Sequence, residues 1–193
     1  MDIKPRLITE EELRTAVRSA LSIRAQQDGF KLYEELTIEN KLARVDFALV
    51  GDKIEGFELK SDFDNFSRLH NQIHAYNRVF DRITIITCSV CAGGALDVLP
   101  KWWGVVLTER QASGLEFREL RPAQDNPLQD PYSVAALLWR DEACALLQQH
   151  SSRVPAKASR NQLYEQMVDE LSWDQLRTSV ARLLLQRDEA VIV

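Results

Sequence analysis

Asp46, Glu58 and Lys60 are charged residues inside two short runs that otherwise read as strands, 42-LARVDFALV-50 and 54-IEGFELK-60, joined through Gly51-Asp52-Lys53. Side chains alternate across a strand, so Glu58 and Lys60 share a face while Phe57 and Leu59 face the opposite layer. On the neighbouring run the same rule puts Val45, Phe47 and Leu49 on one face and Arg44, Asp46 and Ala48 on the other. An antiparallel hairpin then brings Asp46 beside Glu58 and Lys60. Two carboxylates held together repel unless a positive group sits between them, and a divalent cation does that. The plainer alternative is an acid–lysine pair on a solvated sheet face. Against it stand the apolar run 83-ITIITC-88 and the helical patterns on either side, which imply that both faces of the sheet are covered.

The elements that must position these residues follow from periodicity and end signals. Thr9 with Glu12 matches a capping box, and Leu13, Val17, Ala20 and Leu21 recur at helical spacing, so a helix is expected over about residues 10–27, stopped by Asp28-Gly29. Strands follow at 30–38, 42–50 and 54–60, then an amphipathic helix over 65–80. A strand at 83–88, a short helix near 92–99 and strands at 103–108 and 115–120 complete the first region. The leading order is αβββαβ, an α/β fold. The segment 121-RPAQDNPLQDP-131 reads as a linker, with Pro131 suited to the first turn of a new helix. From 132 to 187 only helical patterns occur, in 132–150, 160–171 and 173–187, so 132–193 reads as an all-helical C-terminal appendage.

Composition narrows the function classes. A chain of 193 residues with 45% hydrophobic and 27% charged residues is long enough for a full core and reads as globular. Its formal net charge of -5 argues against non-specific coating of nucleic acid, which needs many phosphate-neutralising Lys and Arg. No apolar run approaches the roughly 20 residues of a membrane span, and the N-terminus has no signal-peptide pattern, so a cytoplasmic protein with no membrane partner is expected. Cys88 and Cys91 form a CxxC, but no second pair lies at zinc-ligand spacing, and Cys88 ends an apolar strand. His70 and His74 fall at i, i+4 without a third ligand nearby and read as exposed or phosphate-contacting.

Asp46 with 58-ELK-60 resembles the motif of the PD-(D/E)XK nuclease superfamily, an Asp on one strand and a Glu-x-Lys on the next, with Val45 in place of the leading Pro. Three further features carry the resemblance. The order αβββαβ is that superfamily's core, 72-QIHAY-76 matches the QxxxY of RecB-type members, and 35-ELTI-38 supplies a carboxylate where many members have an accessory metal-binding Glu. The resemblance spans residues 9–108 and is nearest to small bacterial and phage members. It implies a restriction-endonuclease-like core with a mixed central sheet over 1–120, and a Mg²⁺- or Mn²⁺-dependent endodeoxyribonuclease in DNA repair or mobile-element defence.

What the resemblance implies for each residue is specific. Asp46, Glu58 and the Leu59 carbonyl would ligate the cation, with Glu35 completing its coordination sphere; Glu34, facing the other way by alternation, is the second choice. Lys60 would orient the attacking water or steady transition-state charge, and Gln72 and Tyr76, one helical turn apart, would position Lys60 or the scissile phosphate. Arg44, Arg68 and Arg78 are expected phosphate contacts. The segment 139–171 resembles a SAP motif: Leu146 and Leu147 would pack against Leu163 and Met167, with Arg153, Lys157 and Arg160 as DNA contacts. The alternative for these helices is a lid over the sheet. The partner implied is nucleic acid, most simply DNA, and a homodimer is compatible. The competing reading is a catalytically silent nuclease-fold protein that binds DNA or a protein.

Overall fold

Thr9 and Glu12 close a capping box at the start of α1 (Glu10–Asp28), the Thr9 hydroxyl accepting from the Glu12 amide and the Glu12 carboxylate from the Thr9 amide. Gly29 ends the helix in the left-handed region, φ 69°, and its N–H donates to the Ala25 carbonyl. Between these ends Leu13, Val17, Leu21 and Ala25 form one buried stripe. The computed structural model describes residues 6–38, 43–64, 69–88, 96–150, 154 and 157–187.

The stripe of α1 lies on one face of a mixed six-stranded sheet whose strands follow chain order. These are β1 (Lys31–Ile38), β2 (Ala43–Val50), β3 (Ile54–Lys60), β4 (Arg82–Cys88), β5 (Gly104–Gln111) and β6 (Gly114–Arg121). β1, β2 and β3 form an antiparallel meander. The chain then crosses through α2 (Leu69–Asn77) to place β4 parallel to β3, and β5 is parallel to β4. β6 returns antiparallel to β5. The chain is thus α/β, and its described elements begin in the order α1-β1-β2-β3-α2-β4.

Two apolar layers hold the sheet. Phe47, Leu49, Phe57, Leu59 and Ile86 pack with α1. Ala48, Val50, Ile54, Ile83, Ile85 and Val105 pack on the other side with Tyr76 of α2 and with the C-terminal helices. Those helices are α3 (Pro131–Ala135), α4 (Arg140–His150), α5 (Arg160–Glu170) and α6 (Trp173–Gln186). Leu146, Leu147, Leu163 and Met167 do meet, but they do so inside the same core as the sheet. The expected appendage is therefore a third layer, the lid arrangement, and burial of the sheet's second face is the reason.

Several expected boundaries shift for long-range reasons. The helix expected over 65–80 ends at Asn77, where the Asn126 side-chain amide caps it by donating to the Asn77 and Phe80 carbonyls. Its start at 65–68 lies outside the described residues, as do residues 92–95 of the short helix expected near 92–99, of which 96–98 are helical. The expected linker 121–131 is docked along the sheet: Gln124, Asn126 and Asp130 donate backbone N–H groups to the Trp102, Asp81 and Arg78 carbonyls. The single helix expected over 132–150 is two. The Leu137 and Leu138 carbonyls, which a continuous helix would use internally, accept instead from Arg187 and from the Tyr164 hydroxyl.

Asp81, buried between β3 and α6, shows how the third layer is fastened. Its carboxylate accepts from the Ile54 amide at 2.8 Å and from Arg177 of α6 at 3.3 Å. Asp81→Ala strands that buried amide and is expected to lower stability by about 1–3 kcal/mol. Urea unfolding checks this; an unchanged midpoint would mean that neither contact matters to the fold.

Candidate metal and nucleic-acid site

The site begins where two strands part. β2 and β3 are paired from Val50↔Ile54 to Phe47↔Phe57, and one step further the register would set Asp46 opposite Glu58. There side chains take over the backbone's hydrogen bonds: the Leu59 N–H donates to Asp46 Oδ2 at 2.8 Å, and the Arg44 carbonyl accepts from the Tyr76 hydroxyl at 2.7 Å. Strict alternation also fails here. Val45 joins the core of the C-terminal helices while Phe47 stays with α1, so the expected common face of Val45, Phe47 and Leu49 is corrected.

The break coincides with an unusual residue on β1. Glu35, flanked by the pairs Glu34↔Phe47 and Leu36↔Val45, has φ 55°, left-handed backbone that a residue with a Cβ adopts at a cost. Glu34 and Glu35 consequently both reach arginines of α1, rather than opposite faces as alternation implies. Glu34 is held by Arg18 at 2.6 and 2.7 Å, and Arg18 keeps the Glu34 carboxyl below its ordinary range. Glu35 pairs with Arg14 Nη1 at 2.9 Å and with Arg44 Nε at 2.5 Å.

Glu58 is the centre of the constellation. Only 3% exposed, it points away from α1 toward α2. Its Oε1 accepts from Lys60 Nζ at 2.8 Å and from Gln72 Nε2 at 2.6 Å, and its Oε2 accepts from the Tyr76 hydroxyl at 2.8 Å. The single Tyr76 proton serves either Glu58 or the Arg44 carbonyl. Burial pushes the Glu58 carboxyl up, the neighbouring charge of Asp46 pushes it further, and Lys60 offsets this only in part. Burial and Glu58 likewise push the Tyr76 phenol up, keeping it protonated. Asp46, Glu58, Lys60, Gln72 and Tyr76 are thus brought together, with Glu35 joined through Arg14.

Other expected residues fall differently. Leu59 contributes its N–H to Asp46. Arg44 is exposed beside Glu35, but Arg78, expected to contact phosphate, is paired with Asp130 at 3.0 Å and helps dock the former linker. Lys157 and Arg160 are exposed, whereas Arg68, Arg153 and Cys91 lie outside the described residues. His70 and His74 are exposed, and among the described residues no three His, Cys, Asp or Glu side chains are grouped to hold a metal.

The residue that sequence reasoning missed is Arg14. Its Nη2 donates to Asp46 Oδ1 at 2.5 Å and lies 3.2 Å from Glu10, while the guanidinium covers the Phe47 ring at 5.6 Å from its centroid. The available signal was faint: Arg14 and Arg18 sit at i, i+4 beside the apolar stripe, on the edge that faces Glu34 and Glu35.

The donor chemistry fits a hard divalent cation. Each carboxylate offers about four lone-pair positions. Glu58 Oε1 accepts two hydrogen bonds, but Glu58 Oε2 and each Asp46 oxygen accept one, which leaves acceptor capacity on both residues. Burial first, and then the neighbouring Asp46 charge, push the Glu58 carboxyl up in the metal-free protein. Backbone carbonyls and carboxylates are the ligands that Mg²⁺ and Mn²⁺ prefer.

Comparison with known proteins gives two matches. The family described as Bacteriophage P4 protein cII matches residues 4–190. Protein cII of Enterobacteria phage P4 is similar at 23% identity over 184 residues, 95% of this chain and 69% of that protein. No solved structure matches. No helix among the described residues is long and apolar enough to cross a membrane.

Proposed function

We propose that this chain, which belongs to the Bacteriophage P4 protein cII family, is a divalent-metal-dependent nuclease that hydrolyses phosphodiester bonds of DNA. The observation that carries the reading is the buried Glu58 carboxylate, gripped by Lys60, Gln72 and Tyr76 beside the splayed strand that bears Asp46. Buried acids are ordinarily satisfied by several donors; what points further is the second carboxylate, Asp46, close enough to push the Glu58 carboxyl up despite Lys60. The order α1-β1-β2-β3-α2-β4 with a mixed sheet also accords with a PD-(D/E)XK core.

Asp46, Glu58 and the Leu59 carbonyl would hold the cation, which supplies Lewis-acid polarisation of the phosphate and a more acidic bound water. The remaining residues act through position and charge. Gln72 and Tyr76 fix the Glu58 carboxylate so that its spare lone pair has one direction. Lys60, 12% exposed and tethered to Glu58, keeps an ammonium at hand for a developing negative charge. Arg44, exposed at the rim, and Lys157 and Arg160, exposed on the C-terminal layer, are proposed backbone-phosphate contacts.

A second reading, a catalytically silent DNA-binding or adaptor protein, draws on Arg14, which already neutralises Asp46. One experiment separates the two: incubation with plasmid, linear duplex, single-stranded DNA and RNA in Mg²⁺, Mn²⁺ or EDTA. Metal-dependent cleavage of a DNA substrate is the expected result. Binding without cleavage in every metal would favour the silent protein, and cleavage of RNA alone would correct the substrate class.

A further inference from the structure

Three acidic side chains, Asp46, Glu35 and Glu10, converge on one guanidinium, that of Arg14. We propose that Arg14 is a displaceable internal counter-ion: it neutralises Asp46 and Glu35 in the metal-free protein, yields them to a divalent cation, and then offers its guanidinium to a substrate phosphate. The inference rests on the metal-dependent reading of the site and assigns a partner exchange to a residue on a separate element, α1.

Four observations support it. The first is chemical: an arginine does not lose its proton in a protein, so the only way it can vacate an acid is to move. A lysine in the same place could neutralise itself instead. The second is access, because the Arg14 side chain is 20% exposed and so has a path outward. The third is an alternative resting place, since Glu10 on the same helix face is 64% exposed and already within 3.2 Å of Nη2. A released guanidinium would stay beside the site.

The fourth observation is local strain. Glu35 holds a left-handed backbone while its carboxylate is shared by Arg14 and Arg44. An arrangement that requires a costly backbone angle and two external partners is one that a stronger cation can reorganise. The fork geometry of guanidinium matches the oxygens of a phosphodiester as well as those of a carboxylate, so release from Asp46 gives Arg14 a use. Arg14 is a positioning residue on this view while the metal is absent and a substrate contact once it is present.

The two halves predict effects of opposite sign, which an ordinary salt bridge does not. Isothermal titration of nucleic-acid-free protein with Mn²⁺ reads the first: Arg14→Met, which keeps an apolar stem over Phe47, should bind Mn²⁺ roughly tenfold more tightly than the parent, having lost its internal competitor. Fluorescence anisotropy with a labelled duplex oligonucleotide in Mn²⁺ reads the second, in a Lys60→Ala background to slow cutting. There Arg14→Met should weaken DNA binding by at least about threefold, the loss of one phosphate contact. Should Arg14→Met fail to fold, Arg14→Lys, which cannot span Asp46 and Glu35 with one fork, is expected to shift Mn²⁺ affinity the same way by less.

Equal or weaker Mn²⁺ binding by the variant, with the parent still binding Mn²⁺ through Glu58, would overturn the counter-ion and leave the metal site standing. Tighter metal binding with undiminished DNA affinity would overturn the phosphate exchange. If neither parent nor variant bound Mn²⁺, the proposed function itself would fall and take this inference with it.

Discussion

Asp46→Ala, Glu58→Ala and Lys60→Ala are each expected to abolish metal-dependent cleavage, with Lys60→Ala costing about 10²–10⁴-fold if the ammonium serves in charge or proton handling. The three losses should not add, because the residues act on one reacting centre and removing any one disables the others. The hydrogen-bond map makes the expectation sharper. Lys60 and Gln72 share Glu58 Oε1, and Tyr76 holds Oε2, so Gln72→Ala and Tyr76→Phe loosen Glu58, the latter also freeing the Arg44 carbonyl, without removing an acid or the ammonium. They should reduce cleavage by less than Glu58→Ala does, and mainly in kcat. Single-turnover assays on the preferred substrate would measure all five variants. Full cleavage by Lys60→Ala would defeat the mechanism, and Tyr76→Phe as inert as Glu58→Ala would assign the phenol a direct role.

In EDTA, Glu58→Gln is expected to melt at or above the parent, whereas Asp46→Asn should melt below it. The two acids sit in opposite electrostatic situations. Glu58 is buried and disfavoured by both burial and Asp46. A glutamine there can keep every contact: its carbonyl accepts from Lys60 and Gln72, its amide donates to the Tyr76 oxygen, and the Tyr76 proton turns to the Arg44 carbonyl. Asp46 has no such substitute, because both its oxygens face donors, Arg14 Nη2 and the Leu59 N–H. An asparagine must turn its amide group toward one of them, at a cost of about 1–3 kcal/mol.

The metal response should then separate from the metal-free response. Mn²⁺ at a hundredfold excess over its dissociation constant should stabilise the parent by about 2.7 kcal/mol, since only the folded chain presents the site. Both variants should lose most of that shift. The pH dependence in EDTA carries a definite sign. Because the Glu58 carboxyl titrates higher folded than unfolded, its contribution to stability is complete below the ordinary carboxylate range and is lost as pH rises through the raised value. Glu58→Gln should flatten that decline relative to the parent. A Glu58→Gln protein as destabilised in EDTA as Asp46→Asn, or a metal shift equal to the parent's, would show that these carboxylates are not a metal site under repulsion.

How far the sequence alone carries this protein can be judged from particular elements. The capping box at Thr9, the stop at Gly29 and the hairpin signal at Gly51-Asp52-Lys53 are decided by groups within a few residues of one another, and all three appear where expected. The neighbourhood of Asp46, Glu58 and Lys60 was legible for the same reason: the hairpin register leads Asp46 to Glu58, and a period of two along β3 puts Lys60 beside Glu58, although alternation on β2 fails at Asp46. Gln72 and Tyr76 were readable as a pair on one helical turn.

Other features were settled at a distance. Opposite the left-handed residue Glu35, Val45 and Phe47 fall on different sides of the sheet, and no local signal marks it, because glutamate is not a residue that ordinarily seeks that conformation. The break between α3 and α4 depends on Tyr164 and Arg187, which reach the Leu138 and Leu137 carbonyls from later in the chain. The composition of 121–131 is that of a loop, and only its hydrogen bonds to Trp102, Asp81 and Arg78 make it part of the core. Arg14 is the sharpest case. Its place beside an apolar helix stripe is compatible with an ordinary solvated arginine, and packing α1 against β1 and β2 is what gives it Asp46 and Glu35 as partners. Local periodicity determined which residues could meet on a strand or a turn of helix; the tertiary structure decided which charges compensate them, because ion pairing follows distance in space rather than along the chain.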